Sequence, residues 1–145
     1  MAVTTDRRLT VENGDILGEG FCPMIATTGV VYAGAMVIAN ASGNCTNATD
    51  AASSRFVGIA RRGATNTGAA GAVQAELLTS GDVELNIQGT SLDATDIGKT
   101  VFIFDNDTVT DAAGATNDIP VGSLVRLSSA TTCFVRLFTP GFSAS

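Results

Sequence analysis

The chain has 145 residues and a net charge of −6, with 45% apolar but only 15% charged residues, against about 25% charged in an ordinary soluble domain. This length suits one domain that buries about two-thirds of its unfolded surface. The acidic balance argues against a nucleic-acid binder, which needs a basic stripe to neutralise phosphates, and no apolar run reaches the roughly 18 residues of a membrane-spanning helix.

Residues 1–20 are polar, lack periodicity and carry Arg7 and Arg8. They read as an extended N-terminal arm before a single β domain over 21–145. The opening has arginines but no following apolar stretch of the kind a secretion signal needs, so the reading is an intracellular product. From Phe21 onward short strands alternate with Gly, Asn, Asp and Ser turns, the mark of an all-β barrel or sandwich with few or no helices. "GAMVIAN" predicts a strand over 35–39, "ASGNCTNATDAASS" a loop, and "RFVGIARR" the next strand. "GAVQAELLTSGDVELNIQG" predicts two strands hinged at Ser80-Gly81. In the second of them Val83, Leu85 and Ile87 face one side, while Asp82, Glu84, Asn86 and Gln88 form a wet face. "SLDATDIG" allows one helical turn at most. "KTVFIFD" and "TVTD" flank Asp105-Asn106-Asp107 as a hairpin, and "VGSLVRLSS" with "TCFVRLF" makes a second.

Strict alternation in "RFVGIARR" places Arg55, Val57, Ile59 and Arg61 on one face and Phe56, Gly58, Ala60 and Arg62 on the other. Likewise Val101 and Ile103 oppose Phe102 and Phe104, and Phe134, Arg136 and Phe138 oppose Cys133, Val135 and Leu137. Strands apolar on both sides, in a domain without helices to cover them, imply a second burial surface provided by neighbouring chains. Arginine inside apolar stripes suits an interface, where Arg and aromatics are enriched and Lys depleted. Arg61, Arg62, Phe134, Arg136 and Phe138 are therefore subunit-interface candidates. The adjacent Arg61 and Arg62 read best as the rim of such a contact, ahead of a bare anion site or of plain strand-end charge.

Catalytic chemistry finds little to work with. The chain has no histidine, hence no Ser-His or Cys-His pair, and no G-x-S-x-G elbow. Asp82 and Glu84, on the wet face, read as solubilising. "DNDTVTDAAGATND" departs from a calcium loop at its third ligand position, where Val109 stands. "GATNTGAAG" has no phosphate-binding lysine and no following helix. Cys22, Cys45 and Cys133 are widely spaced and read as small buried hydrophobes rather than a bridge framework. The reading is a non-enzyme with no catalytic residue, metal or cofactor.

Taken in order, Tyr32, Gly34 and Val37, then "FVGIA" over Phe56–Ala60 with its Asn/Gly/Ala loop, then "DIGKTVFIFD" over Asp96–Asp105, then Val121-Gly122 form a connected pattern. From about Thr28 to Leu137 the chain resembles the small phage head decoration, or cement, proteins of the β-tulip type. The resemblance implies a β-barrel-like domain on the outer surface of the virion, made in the host bacterial cytoplasm. There it would clamp neighbouring major capsid protein subunits after capsid expansion, as a homotrimer, without nucleic acid or membrane. Its N-terminal arm would add a strand to an exposed capsid edge. Thr4, Thr5, Asp6, Arg7, Arg8, Leu9, Thr10 and Val11 are the capsid-contact candidates, with the two arginines pairing to acidic capsid side chains. A phage tail or fibre module and a carbohydrate-binding β-sandwich are the rival readings. The absence of any strong internal repeat counts against the first, and the scarcity of aromatics against the second.

Overall fold

A computed structural model describes residues 3–6, 11–12 and 19–137. Its strands, in chain order, are β1 (Val11–Glu12), β2 (Glu19–Pro23), β3 (Gly29–Val31), β4 (Met36–Ala39), β5 (Cys45–Asn47), β6 (Arg55–Ala60) and β7 (Ala64–Asn66). They continue with β8 (Gln74–Leu78), β9 (Asp82–Ile87), β10 (Thr100–Ile103), β11 (Thr108–Thr110), β12 (Pro120–Leu127) and β13 (Thr132–Leu137). Among the described residues there is one 3-10 turn, Ala94–Asp96, capped reciprocally by Asp93 and Asp96. The all-β class read from the sequence is what the chain adopts.

The C-terminal half closes into a barrel. Its order runs β9-β11-β10-β12-β13 and returns to β9 through the β9–β13 pairing, with β1 laid beside the first residues of β9. Both expected hairpins form: β10 with β11 around the 105–107 turn, and β12 with β13. In the first, the backbone of Asp107 donates to the Asp105 carboxylate at 3.1 Å, the local hydrogen bond that makes Asp a turn former. Val83, Leu85 and Ile87 turn inward with Val101, Ile103, Val109, Leu124, Cys133 and Val135. The alternation in "DVELNI" thus becomes the barrel's apolar lining.

The N-terminal half forms a five-stranded sheet, β2-β8-β6-β4-β5, that curls until Met24 bridges Cys45 and its two edges meet. The β3–β7 pair packs against this curl. All four residues of β4 are buried. Met36 and Ile38 point into the barrel core, and Val37 and Ala39 into a second cluster with Cys22, Met24, Cys45, Ala75 and Leu77. The two-sided strands are therefore explained, but not as anticipated. The second face of the curled sheet is covered by the barrel of the same chain, not by a neighbour. Much of the oily surface that implied a partner is therefore internal, but Phe104, on the second face of "VFIF", is exposed, as are Phe21 and Ile97 among the described residues.

Strand β6 also departs from strict alternation. Ile38 pairs with Phe56 and Val37 with Gly58, so Val57 is an extra residue and the register shifts. This is a β-bulge, and Gly58 adopts a φ of 151° there. Phe56 and Ile59, three residues apart, both enter the barrel core, whereas Val57 and Ala60 face the second cluster. Arg55, Val57, Ile59 and Arg61 consequently do not share a face. Bulk on Gly58 would meet the Leu78 carbonyl oxygen at 2.8 Å, so the bulge needs glycine.

Candidate interaction surface

Asn106 holds the start of the chain. Its side-chain oxygen accepts from the Val3 backbone N–H at 2.8 Å and its amide nitrogen donates to the Val3 carbonyl at 3.0 Å. The neighbouring acids are a coupled pair. Burial and the hydrogen bond shared with Asp105 push the Asp107 carboxyl above the ordinary carboxylate range. For Asp105 burial acts the same way, but hydrogen bonds from Asp107 and Thr108 outweigh it and hold the group low. Asn86 Nδ2 donates to Asp107 at 3.2 Å and the Thr108 hydroxyl at 2.8 Å.

Thr4, Thr5 and Asp6 are exposed. Asp6 Oδ1 accepts from the Ala33 N–H at 2.8 Å, and a Cβ placed on Gly63 would lie 2.8 Å from that same oxygen. The first residues of the chain therefore abut the turn that follows β6, which carries Arg61 and Arg62. Arg61, Arg62 and Gly63 are exposed there. The turn is anchored by Glu76 of β8, whose carbonyl accepts from the Arg61 N–H at 2.9 Å and whose carboxylate lies 3.5 Å from Arg62 Nε. With the Arg62 side chain 78% exposed, that pair contributes about 0–1 kcal/mol. Two regions singled out separately in the sequence, the N-terminal segment and the arginine pair, thus form one continuous polar surface.

The remaining candidates divide differently. Phe134 is only 3% exposed, with the Arg126 guanidinium stacked 4.1 Å above its ring. It is covered within the chain and offers no face to a neighbour, contrary to the interface role read for it. Arg136 is exposed but occupied, donating to both Asp82 oxygens at 2.8 and 3.0 Å. The Asp82 hydrogen bond, reinforced by its charge, raises the Arg136 pKa further. Asp82 is itself 2% exposed, so it is the buried half of a two-pronged ion pair rather than a solubilising charge on a wet face. Val11 takes part through its backbone, opposite Val83, and Glu12 lies opposite Asp82. At 3–6 and 11–12, then, the N-terminal segment lies on the domain. Strand β2 begins at Glu19, just inside the segment read as an arm. Arg7, Arg8, Leu9, Thr10 and Phe138 lie outside the described residues.

Sequence reasoning missed one further feature, a cavity of about 390 Å³ lined from β2, β4, β6 and β8 of the curled sheet. Gly20, Cys22, Ala39, Val57 and Leu77 line it together with the exposed Phe21 and Arg55. The signal was present, since "EGFCP" alternates Gly20 and Cys22 against Phe21. Among the described residues no three His, Cys, Asp or Glu side chains gather as a metal site. Comparison with protein-family models, with curated proteins and with solved structures finds no match to this chain.

Proposed function

We propose that the chain is a structural virion protein that binds the outside of an expanded phage capsid and cements neighbouring major capsid protein subunits. The observation that carries this reading is the continuous exposed surface joining Thr4–Asp6 to Arg61-Arg62-Gly63. It presents both charge signs and an exposed stretch of chain, on a scaffold held rigid by two buried clusters. Such a surface suits an edge-on contact with another protein, with charge setting orientation and encounter rate. The order of the "FVGIA", "DIGK" and Val121-Gly122 elements gives the same direction. Trimerisation rests on the resemblance, because the apolar faces of β4 and β6 are buried in the chain. A protein that binds only the expanded lattice stabilises it by mass action over many copies.

Sedimentation with expanded, undecorated phage capsids tests the proposal. The protein should pellet with them at saturating, stoichiometric occupancy. Arg61→Glu combined with Arg62→Glu should weaken that binding by about tenfold or more while leaving the thermal transition within about 2 °C of wild type, since both side chains are solvated. Failure of the wild-type protein to pellet would overturn the capsid reading. Wild-type occupancy by the double variant would remove this surface from the contact.

A further inference from the structure

We infer that Cys22 and Cys45 are a redox-active pair, oxidised by peroxide to a disulfide that fastens the seam of the curled sheet. The two edges of that sheet meet through the Met24–Cys45 bridge and the Ile25 N–H to Cys45 carbonyl bond of 3.0 Å. The cysteines flank this seam, 23 positions apart in sequence. Cys45 Sγ lies 3.3 Å from the Cys22 carbonyl oxygen, and Cys22 Sγ lies 3.7 Å from the carbonyl oxygen of Gly43, two residues before Cys45. Both are free and buried. Their surroundings differ in the way an attacking and a resolving thiol require. Cys22 lines the cavity together with the exposed Arg55, so a molecule as small as hydrogen peroxide has a route to it. Cys45 is fully buried behind it. The Cys45 hydrogen bond favours the Cys22 thiolate against the opposing effect of burial, and the Arg55 charge adds to it. The same bond and burial hold the Cys45 thiol protonated. Cys133 belongs to the barrel core, where burial and the Glu84 charge push its pKa up to about 12.

The chemistry balances in two steps. The Cys22 thiolate attacks one peroxide oxygen, the O–O bond breaks, and the departing hydroxide takes a proton to leave as water. Cys22 is then a sulfenic acid, oxidised by two electrons as the peroxide is reduced. The Cys45 sulfur next attacks the Cys22 sulfur; the S–O bond breaks, and the hydroxyl leaves with the Cys45 proton as a second water. Two thiols and one peroxide become one disulfide and two waters. The bond would tie β2 to β5 where the sheet holds itself closed by few contacts.

The test uses the folded full-length chain. It is treated with hydrogen peroxide, alkylated in denaturant, and cut with chymotrypsin, which separates the two cysteines at Tyr32. The expected product is one linked pair of peptides holding Cys22 and Cys45, with Cys133 alkylated. The thermal midpoint of the oxidised protein should rise by about 6–12 °C, as expected for a bridge closing a loop of this length. In Cys45→Ser, Cys22 should accumulate as a sulfenic acid captured by dimedone. Alkylation of both Cys22 and Cys45 after peroxide, a bridge involving Cys133, or direct overoxidation of wild-type Cys22 to the sulfinic acid would each overturn the proposal.

Discussion

Gly58→Ala examines the fold at the position where local pattern and final structure part. The new methyl would lie 2.8 Å from the Leu78 carbonyl oxygen and 3.0 Å from Leu77 Cβ. A carbon and a carbonyl oxygen normally stay about 3.3 Å apart or more, so the overlap is about half an ångström. One of the obstructing groups is backbone, in the neighbouring strand, and cannot rotate away. Overpacking of this kind costs about 1–3 kcal/mol. Holding alanine at a φ of 151° adds about 1–3 kcal/mol. The smaller conformational freedom of alanine in the unfolded chain offsets about 0.4–1 kcal/mol of this. The net expectation is a loss of about 2–5 kcal/mol, a large share of the roughly 5–15 kcal/mol typical of a domain. Urea denaturation of both proteins measures it. Gly43→Ala is the control, because Gly43 also has positive φ, 82°, yet nothing lies within 4 Å of where its methyl would stand; it should cost about 1 kcal/mol. If Gly58→Ala is no worse than Gly43→Ala, the bulge is not what places Phe56 and Ile59 in one core.

Two other substitutions probe the packing and the charge pair. Phe134→Ala should lower stability by about 3–5 kcal/mol, and the thermal midpoint by about 10 °C, independently of protein concentration; a loss below about 1 kcal/mol, or one seen only in a concentration-dependent assembly, would show that the ring is covered by a neighbour instead. Asp107→Asn replaces an acid whose folded pKa is raised above the ordinary 3.8. A raised carboxyl binds more protons folded than unfolded, so its contribution to stability declines as pH climbs from about 3.8 through the folded value. The neutral amide escapes that decline. The stability of the variant relative to wild type should therefore improve from pH 4 to pH 7 in urea titrations, and a constant difference would refute the assignment.

Much of the fold could be read from residue order. The period of two in "DVELNI" names the barrel lining, and the Asp-Asn-Asp and Ser-Ser turns mark both hairpins, because these signals depend only on neighbours in sequence. The apolar doubling of "RFVGIARR" correctly demanded cover on both sides. It could not say who supplies it, since a strand carries the same residues whether its second face meets another sheet or another chain. The bulge at Gly58 was hidden because glycine fits equally well in a strand, a turn or a kink until its partner strand is known. Asp82 looked solvated by the same alternation that correctly buried Val83; only the β9–β13 register brings Arg136 to it. Of the candidate surface, residue types alone picked out Arg61, Arg62 and Thr4–Asp6, but their adjacency arises from the Asp6–Ala33 bond across 27 positions.

The clasp between Val3 and Asn106 spans 103 positions. Val3 consequently lacks this partner until the 105–107 hairpin exists, whereas Asp6 can already meet the Ala33 N–H 27 positions on. Closing so large a loop carries an entropic cost that must be met before the contact repays it, which slows acquisition of the native state. The clasp on Val3 therefore has to follow the hairpin that carries Asn106.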